Sequence, residues 1–122
     1  MRTTHWRLKY LLAGALLAGC AYAHGPEPGP CNDPTPVTYR AVVAPIIATH
    51  CLECHGGTVY TTLGGNIDFS TYRGLHNQSG PYLLSSVRHE PGAPPMPRGR
   101  DKLSDCDIAR LQAWVDAGEP DN

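Results

Sequence analysis

The five residues Cys51-Leu52-Glu53-Cys54-His55 narrow what this chain can fold into more than any other stretch. Two thiols three residues apart share one helical turn, and the histidine directly after them is carried by the same backbone. The pattern is that of covalent c-type haem attachment: each thiol adds to one vinyl group of the porphyrin, and the adjacent imidazole points at the iron. A zinc site asks for two further Cys or His ligands at paired spacing, and a thioredoxin-like pair asks for strands alternating with helices around it. The chain offers no second CxxC, no HxxxH and no such alternation. The motif therefore assigns one haem, with Cys51 and Cys54 as thioether attachment points and His55 as an iron ligand.

Composition reinforces the need for such a group. Twelve prolines and thirteen glycines among 122 residues imply long loops and a small apolar core. A domain of this size and make-up is expected to contain a staple or a large cofactor. The cysteine count supplies the staple. Of five cysteines, Cys51 and Cys54 belong to the haem motif and Cys20 is either a lipid carrier or lost with an export signal, which leaves Cys31 and Cys106. In an oxidising compartment the two are expected to pair, closing a loop of about 75 residues and stabilising the fold by roughly 4 kcal/mol in the chain-entropy model.

Arg2, Arg7 and Lys9 precede an apolar run over residues 10–20, too short to span a bilayer and of signal-peptide length. Its end reads two ways. "LAGC" resembles a lipobox, which makes residues 1–19 the signal peptide and Cys20 the lipidated first residue; "AYA" fits cleavage after residue 23, which discards Cys20. Residues 20–36 form a Pro- and Gly-rich tether, and residues 37–122 form the folded domain. Three of the ten Lys+Arg fall in the signal, so the mature chain carries seven against eleven Asp+Glu, a net charge of about −4. That balance gives no hint of nucleic-acid binding.

Within the domain, Tyr39, Val42, Val43, Ile46 and Ile47 recur at spacings of three and four, a helical stripe leading straight into Cys51, with Pro45 kinking that helix or starting a new one. Ser70 is placed to cap a short turn bearing Tyr72 and Leu75. Pro81 is placed to open a helix with Leu83, Leu84 and Val87 on its apolar face. The clearest helix follows Ser104, an N-cap with Asp107 at the capping-box position. Ile108, Leu111 and Val115 line one face of it beside Trp114, and Gly118 and Pro120 end it. Without repeats or strand patterns, the fold class is all-α: a few short helices and long loops wrapped around one covalent haem.

These features come in a recognisable order. "Y..VVAPII..HCLECHGG", "GGNIDFSTYRGL", "PPMP" and "LSDCDIARLQAWVDAGEP" together resemble small class I-type c-type cytochromes, especially the lipoprotein-like cytochrome domains of environmental bacteria. The resemblance implies a cytochrome c-like fold in which an N-terminal helix crosses the C-terminal one beside the haem. It also implies Met96 as the distal iron ligand. Proline at 95 and 97 restricts that methionine, which lowers the entropy cost of holding a weak thioether near iron; His89 and His76 are the alternatives the residues leave open, with His50 and His24 more distant candidates. His/Met ligation raises the reduction potential and leaves no open iron position. The function implied is single-electron transfer between redox partner proteins, not catalysis, by a monomer in the periplasm or cell envelope, membrane-anchored through Cys20. A small-ligand haem sensor and the cytochrome subunit of a larger dehydrogenase are the other readings. Arg88, Arg98, Arg100 and Lys102 are either solvated loop charges or partners for a haem propionate or a redox protein.

Overall fold

Thr38 sets where the folded helical body begins. In the computed structural model, which describes residues 30–33 and 36–122, its hydroxyl oxygen accepts from the Ala41 amide at 3.3 Å and its carbonyl accepts from both Val42 and Val43. The signal peptide, Cys20 and residues 21–29 of the tether lie outside the described residues. From Tyr39 to Val43 the chain winds as a π-helical turn, and the regular helix α1 (Ala44–His50) follows. The wide turn has a cause in Pro45, the second residue of α1. Its ring would press on the carbonyl four residues back, and loosening the preceding turn relieves that contact.

Four more helices follow: α2 (Leu52–His55), α3 (Tyr72–His76), α4 (Gly80–Val87) and α5 (Asp105–Asp116). No strand occurs among the described residues, so this part of the chain is all-α. Two helix starts differ from the sequence reading. The hydroxyl of Ser70 is occupied by Asp68 Oδ1 at 2.5 Å, so Thr71 caps α3 instead, accepting from the Gly74 amide at 3.1 Å. Gly80 is the first residue of α4, and Pro81 sits one place further in. Ser104 caps α5 as expected, accepting from the Asp107 amide at 3.0 Å while donating to its carboxylate.

The core is assembled from one face of each longer helix. Val43, Ile46 and Ile47 form one buried cluster with Leu83, Leu84 and Val87 of α4, Ile108, Leu111 and Trp114 of α5, and Leu75 and Phe69. Val43 and Leu111 are completely buried, and each side chain of this kind contributes roughly 1.5–3 kcal/mol by leaving water. Helix α5 packs on both α4 and the Tyr39–Val43 turn.

The residues after α5 fold back across it. The Trp114 indole donates to the Pro120 carbonyl at 3.0 Å, the Tyr72 hydroxyl donates to Glu119 at 2.8 Å, and the Tyr39 amide donates to Asn122 at 2.8 Å. At the other end of α5, Cys31 and Cys106 form a disulfide with their Cα atoms 5.6 Å apart, the pairing the cysteine count implies. Beside it Arg110 forks onto both carboxylate oxygens of Asp33 and also reaches Asp107. The segment before the domain is thereby fixed to the first half of α5.

Candidate functional site

Helix α1 delivers the CLECH residues without an intervening loop. The Cys51 amide still donates to Ile47 at 2.9 Å, the ladder breaks at Cys51, and the Cys54 and His55 amides both return to the Cys51 carbonyl at 3.1 and 2.8 Å. Both thiols thus sit on one tight turn, and neither is in a disulfide. They differ in surroundings: Cys54 is exposed, whereas Cys51 is half-buried, and burial pushes its thiol up to about 11.

His55 is held from three sides. Its Nδ1 lies 3.0 Å from the Ile67 carbonyl, its ring stacks on Phe69 with centroids 4.8 Å apart, and its own carbonyl accepts from the Phe69 amide at 2.8 Å. A carbonyl can only accept, so Nδ1 carries the proton and the lone pair is left on Nε2, the state in which an imidazole binds a metal. Gly64 makes this approach possible. A Cβ there would lie 2.6 Å from the Cys54 carbonyl oxygen and 3.0 Å from His55 Nδ1, so no larger residue fits without moving one of them.

A cleft of about 300 Å³ opens against these residues. Cys51, Cys54, His55 and Met96 all line it, so the four residues assigned to the haem from the sequence are brought to one cavity. The rest of its wall is mainly apolar, from Ile67, Phe69, Leu83, Val87, Leu103 and the prolines around Met96. The two exposed large apolar side chains among the described residues, Leu63 and Tyr82, belong to the same wall. Met96 is anchored to the end of α4 through its amide, which donates to the Ser86 carbonyl at 3.0 Å.

The alternative distal ligands are placed elsewhere. His89 does not line the cleft; its Nε2 lies 3.1 Å from the Met96 carbonyl. His76 pairs with Glu119 at 3.2 Å and stacks on Tyr72, also off the cleft. His50 does line it, with its Nε2 3.7 Å from Asp107. The loop cations divide similarly. Arg88 donates to Gln112, Arg100 to Glu53 and Lys102 to Asp105, each at 2.6 Å, while Arg98 lines the cleft and forms no ion pair with a described residue.

The chemistry of this donor set fits a covalently held haem: two unpaired cysteines on one turn, an imidazole with its free nitrogen set by a neighbouring carbonyl, a thioether, and an apolar wall. For a bare ion it fits poorly, since no group of three or more His, Cys, Asp or Glu is gathered among the described residues. Sequence reasoning missed the Ile67 carbonyl and Phe69, and held His50 only as a remote candidate ligand. Phe69 had no signal beyond being the sole phenylalanine, and His50 only its place beside Cys51. No helix among the described residues is long and apolar enough to cross a membrane. Compared with known proteins, the chain matches no family model, no curated protein and no solved structure.

Proposed function

We propose that the chain is a monohaem c-type cytochrome of the cell envelope that passes single electrons between redox partner proteins. The observation that carries the proposal is the convergence of Cys51, Cys54, His55 and Met96 on one apolar cleft, with the His55 proton already committed to the Ile67 carbonyl. When bound, the haem supplies a one-electron iron couple.

The residues of the chain do the rest. Cys51 and Cys54 would hold the porphyrin through thioether bonds, and His55 would offer Nε2 to the iron in an orientation fixed by Ile67 and Phe69. Met96, braced by Pro95 and Pro97, offers a soft thioether that favours the reduced iron and raises the potential. The apolar wall excludes water, which favours the less charged reduced state as well. Arg98 is the cation on the wall left to meet a haem carboxylate. With His55 and Met96 both available as ligands from the protein, the bound group would leave no place for a substrate, which is the character of a carrier.

Export follows from the signal segment and agrees with the Cys31–Cys106 disulfide, and a lipid on Cys20 would tether the domain to a membrane surface. A redox titration of the purified protein with parallel carbon monoxide addition tests the carrier reading. A reversible one-electron wave with slow, weak carbon monoxide binding is expected. Rapid, tight binding to the reduced protein would overturn it in favour of a gas-binding module.

A further inference from the structure

Helices α4 and α5 end in the same hydrogen-bond motif but differ at its critical residue. After α5, Gly118 takes the left-handed conformation at φ 86°, its amide donating to Val115 at 2.9 Å and the Glu119 amide to Trp114 at 3.0 Å. After α4, the His89 amide donates to Ser86 at 3.2 Å and the Glu90 amide to Ser85 at 2.9 Å, the same pair of bonds. Here the left-handed residue is His89 itself, at φ 58°. That position favours glycine, because a Cβ is crowded there. Histidine is thus held in a conformation it resists, where the neighbouring helix uses the residue that suits it.

The imidazole accounts for the exception. Its Nε2 reaches the Met96 carbonyl at 3.1 Å, and since a carbonyl can only accept, Nε2 is the protonated nitrogen. The Met96 amide meanwhile donates to Ser86, the carbonyl that also receives the His89 amide. Both polar groups of the Met96 backbone are therefore bound to the end of α4, one directly and one through the His89 ring. Seven residues that would otherwise form a free proline-rich loop are pinned at their last member.

We propose that His89 is a positioning residue: it clamps the Met96 backbone so that the thioether is presented to the cleft, and left-handed strain at the helix end is tolerated for that purpose. The inference rests on the reading of Met96 as an iron ligand under Proposed function. It goes beyond that reading by assigning His89 a role in holding the ligand, in place of ligation by His89 itself.

His89→Gly separates clamping from simple stability, because glycine suits the backbone while removing the ring. The mature, haem-loaded protein is compared with this variant and with Met96→Ala. The comparison uses the thermal midpoint, amide exchange at Met96, the sulfur-to-iron charge-transfer band of the oxidised form, and imidazole binding at the iron. His89→Gly is expected to keep or raise the midpoint, weaken the band, and increase both Met96 amide exchange and imidazole affinity by about tenfold, the weight of one lost hydrogen bond. Unchanged exchange and imidazole affinity would overturn the clamp. So would a lowered midpoint with exchange raised evenly along the chain, which marks a purely structural residue. If Met96→Ala leaves the band and imidazole affinity as in the wild type, the reading of Met96 fails, and the clamp fails with it.

Discussion

Gly64 and Gly65 are adjacent, yet the structure gives them opposite reasons for being glycine, and alanine at each separates them. At Gly64 the backbone permits alanine, but its Cβ would sit 2.6 Å from the Cys54 carbonyl oxygen and 3.0 Å from both His55 Nδ1 and the Tyr60 Cα. The closest of these atoms is the Cys54 carbonyl, so relieving the clash shifts the turn that carries His55, and the ring is drawn off the Ile67 carbonyl. Overpacking of this kind costs about 1–3 kcal/mol and the lost hydrogen bond about 1 more. For a domain of this size that corresponds to a midpoint lowered by roughly 10–20 °C. At Gly65 nothing lies within 4 Å of an added Cβ, but φ is 62°, so alanine costs backbone strain of about 1–2 kcal/mol and leaves His55 in place. Thermal melts should therefore show a larger drop for Gly64→Ala than for Gly65→Ala. The reduction potential should discriminate further. Releasing Nδ1 makes His55 a poorer donor to oxidised iron, so the potential rises in Gly64→Ala and stays at the wild-type value in Gly65→Ala. Equal losses of stability with no movement of the potential in either variant would refute the assigned role of Gly64.

The Cys31→Ser, Cys106→Ser double variant should lose up to about 4 kcal/mol in urea unfolding, because a 75-residue separation is freed in the unfolded state; a loss below about 1 kcal/mol would show that Arg110 and Asp33 suffice to hold that segment. Tyr39 predicts an alkaline limb of stability. Burial, then the Asp121 charge and Tyr72, raise its folded pKa above the ordinary value of 10.0, so its contribution is full below that value and is lost as pH climbs through the raised one. Tyr39→Phe should remove that limb in melts taken across the alkaline range while leaving the slope near neutrality unchanged.

What the sequence makes legible is what side chains encode. The α5 helix can be read from Ser104 and Gly118 because a hydroxyl cap and a left-handed glycine are residue-specific, and the Cys31–Cys106 pair because only those thiols were left over. The cleft residues Cys51, Cys54 and His55 are adjacent in the chain, so their proximity needed no tertiary knowledge. Backbone partners are another matter. Any residue at position 67 offers the carbonyl that orients His55, and any residue at 86 offers the one that holds Met96, so neither contact leaves a mark on residue identity. The cap of α3 went to Thr71 because Asp68 competes for the Ser70 hydroxyl, a choice between adjacent hydroxyls that pattern alone does not resolve. His89 shows the same limit: as a loop histidine it reads as a possible ligand, and only the structure gives its left-handed φ and its bond to the Met96 carbonyl.

The most direct measurement on the site is a pyridine haemochrome assay on mature protein produced with haem-attachment machinery, denatured and extracted with acidified solvent, alongside a Cys51→Ala, Cys54→Ala variant. One haem per chain that stays with the denatured wild-type protein and is absent from the variant is the expected result. A wild-type chain that releases all its haem on denaturation, or that contains none and has both thiols free to alkylation, would contradict covalent attachment at Cys51 and Cys54 and the electron-carrier function built on it.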